Sequence, residues 1–136
     1  MLAFKHVGPK LGVFETVMMM CNNFGLFGSA LGARRMLKRL ARGTTDDAGS
    51  SRVAATRTAR TTRITSPTRR RNRAEGRMSG QLRLRTRHGL YVGRWFDYLL
   101  VSPEEMDSLA RSGGWQVERL IEDNGDDYYV GVLRKG

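Results

Sequence analysis

The chain has 136 residues and sets 24 Lys and Arg against 13 Asp and Glu, a net charge of +11, which bounds it to one strongly basic domain. One cysteine excludes an internal disulfide, no CxxC or paired-histidine spacing suggests a metal, and His6 and His88 stand alone as ordinary polar residues. No apolar stretch is long enough to span a bilayer and no charged segment runs into an apolar leader core, so the expectation is a soluble, cytoplasmic protein with no membrane association.

Val13 to Met20 is an apolar run interrupted only by Glu15 and Thr16, the pattern of a strand buried on both faces of a parallel sheet. Cys21-Asn22-Asn23-Phe24-Gly25-Leu26-Phe27-Gly28-Ser29 follows as a loop. In the next segment Ala33, Met36, Leu37 and Leu40 share one helical face, Arg34, Arg35, Lys38, Arg39 and Arg42 surround the other, and Gly43 is a stop. A basic amphipathic helix suits a membrane surface or a partner's groove. This one lacks an aromatic anchor, and core packing with a solvated basic face is the preferred reading.

Between Asp47 and Glu75 no acidic residue occurs, yet eight arginines do, and they account for most of the net charge. Ala48 to Ala74 holds only Val53 and Ile64 as branched apolar residues, too little buried surface to offset the entropy of ordering, and a mobile linker is expected. Arg69-Arg70-Arg71 can neutralise phosphates, which raises the alternative of a nucleic-acid-binding protein. No aromatic residue interleaves these arginines to stack on bases, so non-specific nucleic acid binding is as far as the segment goes.

Leu82 to Arg87 alternates strictly, with Leu82 and Leu84 on one face of a half-buried strand. Trp95-Phe96-Asp97-Tyr98-Leu99-Leu100-Val101 is a second strand-like run; Trp95, Phe96 and Tyr98 are candidates for a substrate pocket, although aromatic residues in strands more often fill a core. Ser102-Pro103-Glu104-Glu105 starts a helix: serine caps, proline suits the first position, and Glu105 closes a capping box. Met106, Leu109 and Ala110 give its apolar stripe and Gly113-Gly114 ends it. Trp115 to Glu122 predicts a strand, Asn124-Gly125 a tight turn, and Tyr128 to Leu133 the returning strand.

The closing helix, strand and antiparallel partner, with Ser-Pro-Glu-Glu, Gly-Trp and Tyr-Tyr-Val-Gly-Val-Leu in that order, are similar to the last unit of class I S-adenosylmethionine-dependent methyltransferases. The Val13 to Ser29 stretch resembles their fourth strand and its asparagine-phenylalanine-glycine loop, with Cys21 in place of a glycine. A Trp-Phe-Asp stretch before the Ser-Pro-Glu helix keeps their order too. The resemblance implies an α/β fold, the C-terminal half of a Rossmann-like methyltransferase sheet ending in an antiparallel hairpin. It divides the chain into 1–47 (strand, loop and crossover helix), 48–80 (a basic, disordered linker) and 81–136 (the C-terminal strands and helix). It also implies S-adenosylmethionine as cofactor, with Asn22 and Asn23 at the cofactor, and a small-molecule methyl acceptor in a pocket of Phe24, Trp95, Phe96 and Tyr98. In doubly wound sheets the ligand lies at the carboxyl ends of the strands, which places this loop at the crevice. The purely structural alternative for the asparagines is turn formation. No proline follows Asn22, which disfavours methylation of a nucleic-acid amino group.

No glycine fingerprint precedes Val13, so the expected product is a truncated and inactive fragment without measurable cofactor affinity, exposing a strand edge through which it self-associates. The arginine-rich segment has a further reading. In the resembling enzymes this region runs Asp-Pro-Tyr-x-Thr-Asp-x-x-His-Leu-x-Tyr. Codons for Pro-Tyr-Asp-Thr-Asp-His-Leu-Ala-Tyr, shifted by one nucleotide, translate as Arg-Thr-Thr-Arg-Ile-Thr-Ser-Pro-Thr, the sequence from Arg60 to Thr68. A compensating shift near Arg70 restores the pattern at Asn72-Arg73. The fifth strand of the sheet is then expected to be lost or damaged.

Overall fold

The computed structural model describes residues 12–45, 64–122 and 128–136 in full, and 52–59 as backbone. Four strands form the main sheet: β1 (Thr16–Met19), β2 (Arg52–Ala59), β7 (Trp115–Glu122) and β8 (Tyr128–Lys135), in the order β1-β2-β8-β7. β1 and β2 run parallel, with Val17 opposite Val53 and Met19 opposite Ala55. β8 is antiparallel to both of its neighbours, and a bulge falls between Val117 and Arg119 of β7. This is the expected end of an α/β sheet, a parallel pair closed by an antiparallel strand. The tight turn expected at Asn124-Gly125 lies outside the described residues.

Two helices share the core with this sheet. In α1 (Ala30–Arg42) the Ser29 hydroxyl accepts from the Gly32 amide at 3.1 Å, and the Gly43 N–H closes the far end on the carbonyls of Arg39 and Leu40. Ala33, Leu37 and Leu40 are buried and the basic residues face solvent, as the sequence predicts. α3 (Pro103–Ser112) has the full capping box: Ser102 Oγ accepts from the Glu105 amide at 3.2 Å, and Glu105 Oε2 accepts from the Ser102 amide at 2.9 Å. The second oxygen, Glu105 Oε1, accepts from the Ser79 hydroxyl at 2.9 Å. Met106, Leu109 and Ala110 of α3 meet Leu37, Trp115, Tyr129 and Leu133 in one core, and the buried Trp115 indole donates to the Leu37 carbonyl at 2.9 Å.

A smaller layer sits between α1 and α3 in sequence. α2 (Ser66–Ala74) leads to β3 (Gln81–Leu84), which pairs with β6 (Phe96–Leu99), and a short ribbon of β4 (Arg87–His88) and β5 (Tyr91–Val92) stands out between them.

Two expectations are corrected. β1 is not buried on both faces: Met19 is buried and Val17 half-buried, while Val13, Phe14, Met18 and Met20 are all exposed, because one face alone meets the helical core. The stretch expected to be a disordered linker without a fifth strand holds β2 and α2. β2 is ordered by ladders on both sides, from β1 and from β8, a source of order that its side-chain composition does not display. α2 is pinned by one residue: Asn72, fully buried, donates through Nδ2 to the carbonyls of Ser79 (3.1 Å) and Gln81 (2.7 Å) and accepts through Oδ1 from Arg77 Nη2 at 2.7 Å. Ile64 is also buried, beside Leu100.

Candidate functional site

At the carboxyl end of β1 the chain turns through two left-handed residues, Cys21 (φ 53°) and Asn22 (φ 59°), and enters a 3-10 helix, Asn23–Phe27. Asparagine adopts this conformation readily; cysteine does so less often, which marks the turn as held by its surroundings. The hold is Tyr98 of β6. Its hydroxyl donates to the Asn22 carbonyl at 2.9 Å and accepts from Asn22 Nδ2 at 2.8 Å, a reciprocal clamp across 76 positions of sequence. Asn22 Oδ1 is buried and has no hydrogen-bond partner.

Glycine lets the ring come this close. A Cβ on Gly25 would stand 2.5 Å from Tyr98 Cζ, and Gly28, at φ +75°, backs onto the Asp97 carbonyl, where a Cβ would stand 3.0 Å away. Burial pushes the Tyr98 phenol above its usual range, the Asn22 hydrogen bond opposes that shift, and Tyr128 adds to it.

Beside the clamp lies an open groove of about 470 Å³. Ile64, Leu82, Leu84 and Leu100 form its apolar walls, and Thr65, Thr68 and Tyr98 supply its polar atoms. The two threonine hydroxyls are 3.0 Å apart and bond to each other. Among the described residues, no charged side chain lines it. Among the described residues there is no grouping of His, Cys, Asp and Glu able to hold a metal ion.

The predicted site residues divide. Asn22 and Tyr98 come together, and Asn23 is half-buried at the start of the 3-10 helix. Phe24 is fully buried against Phe27, rings 5.0 Å apart and edge to face, which makes it core and removes it from the pocket. Phe96 is half-buried with its ring 6.5 Å from that of Tyr98. Trp95 is exposed beneath the Arg85 guanidinium at 4.8 Å and does not line the groove. Ile64, Thr65 and Thr68 escape a sequence reading because they lie in the arginine-rich segment. The Leu82 and Leu84 alternation shows a shared face without showing that the face borders a groove.

No protein-family model matches the chain, and no curated protein does. Solved structures do match, and they are S-adenosylmethionine-dependent methyltransferases. One from Bacteroides fragilis, in complex with S-adenosyl-L-homocysteine, superposes with a TM-score of 0.69 at 16% identity over 92% of this chain and 49% of its own. The methyltransferase CcbJ from Streptomyces caelestis gives 0.66 at 12% identity, over 98% of this chain and 65% of its own. A methyltransferase from Methanosarcina mazei gives 0.60 at 12% identity, over 91% and 60%. The chain thus has the fold of the C-terminal part of a class I, Rossmann-like methyltransferase, and it spans 49 to 65% of these three neighbours. S-adenosylmethionine is the cofactor of that fold group.

Proposed function

We propose that the chain contributes the acceptor side of an S-adenosylmethionine-dependent methyl transfer to a small molecule. The observation that carries this is the groove set against the Asn22–Tyr98 clamp, at the carboxyl end of a parallel strand where doubly wound sheets bind ligands. Methyl transfer from a sulfonium asks mainly for in-line positioning of the nucleophile, and a clamped phenol beside an apolar groove supplies positioning. The cofactor, when bound, supplies the electrophilic methyl group. Asn22 Oδ1 is an acceptor still lacking a donor, the kind of group that an ammonium satisfies. A glycine-rich turn and an acidic ribose partner are not among the described residues, so the 136-residue chain alone is proposed to be inactive and to hold cofactor only weakly.

The test is titration of the isotope-labelled chain with S-adenosyl-L-homocysteine, followed by amide NMR beside calorimetry. The expected result is weak, non-saturating shifts confined to Cys21–Gly25 and Tyr98, with no measurable heat. Shifts that fall away from Cys21–Gly25 and Tyr98 would remove the methyltransferase reading, and tight saturable heat would remove the proposed inactivity.

A second reading has its own observation. The ribbon from Arg83 to Trp95 is exposed throughout and carries Arg85, Arg87 and Arg94 with Tyr91 and Trp95, so basic and aromatic groups do meet, outside the arginine-rich segment. This surface suits single-stranded nucleic acid. A steep fall of affinity with salt, lost in Arg85→Ala, supports it.

A further inference from the structure

We infer that the methyl acceptor is a neutral molecule with a flat, largely apolar body. This rests on the proposed reading of the groove as an acceptor site, and it names the class of substrate. The chain carries +11 overall, yet among the described residues the side chains lining the groove are aliphatic, two threonines and one tyrosine, with no arginine, lysine or carboxylate. A charged ligand group pressed against this surface gives up part of its hydration and meets no counter-charge among the described lining residues, which is unfavourable.

The polar atoms offer little in return because they are already engaged. Thr65 Oγ1 and Thr68 Oγ1 bond to each other at 3.0 Å, leaving one hydroxyl proton free between them. Tyr98 spends its proton on the Asn22 carbonyl and one acceptor site on Asn22 Nδ2. The groove therefore has capacity for one or two neutral hydrogen bonds, enough to orient a hydroxyl or carbonyl and not enough to solvate an ion. The start of α2 lies at Thr65 and its dipole favours an anion, but a partial charge shared with solvent at an open groove does not replace the shell of water around a full one. The groove's volume suits a two- or three-ring body.

Three probes on one ring system separate these terms: 2-naphthol as the neutral form, naphthalene-2-sulfonate as the anion and 2-naphthylmethylammonium as the cation. Each is titrated at pH 7 into the 136-residue chain with labelled Ile, Leu and Thr methyl groups, without cofactor. The expected outcome is at least tenfold tighter binding of 2-naphthol, with shifts at Ile64, Leu82, Leu84 and Leu100. Leu84→Asp, at a position 37% exposed and therefore tolerant of charge, abolishes the shifts while the methyl spectrum of the core stays intact. A sulfonate that binds as well or better overturns the inference, since the net charge of the chain alone favours it. Shifts that fall outside the groove overturn it as well. Because no cofactor is present, these outcomes are independent of the homocysteine titration: neutral binding without methyltransferase character leaves the groove assignment standing, and failure here leaves the transfer reaction untouched.

Discussion

Replacing Gly25 by alanine drives a methyl group into the face of Tyr98. An ideal Cβ at this position lies 2.5 Å from Cζ, 2.6 Å from Cε1 and 2.8 Å from Cε2 of the ring, against an optimal carbon–carbon separation of about 3.5–4.0 Å. The ring has to retreat by roughly 1 Å to restore that spacing. It is tethered by the hydrogen bonds at 2.8 and 2.9 Å to Asn22, so it cannot retreat without stretching both. Overpacking costs about 1–3 kcal/mol and two weakened hydrogen bonds about 1 kcal/mol each, while the lower unfolded-state entropy of alanine returns about 0.4–1 kcal/mol. The net expectation is a loss of about 2–4 kcal/mol, a fall in Tm of roughly 6–14 °C for a chain of this size. Thermal unfolding followed by near-UV circular dichroism measures it. The decisive comparison repeats the substitution in a Tyr98→Ala background, where the methyl meets no ring and the cost should shrink to within about 0.5 kcal/mol of zero. An equal cost in both backgrounds refutes the reasoning, because the damage would then come from somewhere other than the Gly25–Tyr98 approach.

Three further outcomes follow from the same geometry. Asn72→Ala strips the carbonyls of Ser79 and Gln81 and the Arg77 guanidinium of a fully buried partner, and urea denaturation should show a loss of about 2–4 kcal/mol; a change under about 0.5 kcal/mol would mean that α2 is held by other contacts. The folded chain keeps the Tyr98 proton above pH 10.0, where the unfolded chain has released it, so this group's contribution is fully present below pH 10.0 and is lost as pH rises through the raised value. Tyr98→Phe should accordingly flatten the decline of stability above pH 10, and parallel curves for the two proteins would contradict the sign. Light scattering should show concentration-dependent self-association through the uncharged edge of β1, reduced by Met18→Lys at a position 64% exposed; a monodisperse monomer at high concentration counts against it.

The parts of the fold that were legible in sequence are those in which local chemistry and burial agree. The Ser102 capping box, the Ala33, Leu37 and Leu40 stripe and the closing strands each announce themselves through spacing, and each appears where the spacing puts it. The order of the arginine-rich segment is not legible in its own composition because it comes from elsewhere. β2 borrows it from the backbone ladders of β1 and β8, and α2 takes it from Asn72, a single polar residue whose three partners lie five to nine positions on in sequence. Apolar counting registers neither device. The site was legible to a similar depth. The asparagine loop and Tyr98 were both singled out, but not their mutual bonds. Phe24 and Trp95 carry the same kind of aromatic signal and end, respectively, in the core and in solvent.

The two edges of the four-stranded sheet differ in a way that bears on the site. β7 presents Gln116, Glu118, Arg119 and Glu122 to solvent and is bent by a bulge, and charge and bulging discourage a further strand even though Leu120 and Ile121 are also exposed. β1 has no bulge and no charge within it: its residues are Thr16, Val17, Met18 and Met19, and it is flanked by exposed Val13, Phe14 and Met20 together with one exposed carboxylate, Glu15. Because β1 already runs parallel to β2, a strand that joins its other edge, unpaired among the described residues, in the manner of a doubly wound sheet also runs parallel, and its carboxyl end then falls beside Asn22. The solved neighbours have length enough for such strands, since this chain spans 49 to 65% of them. A parallel strand in that position therefore pairs the edge backbone and ends beside the Asn22–Tyr98 clamp in a single arrangement.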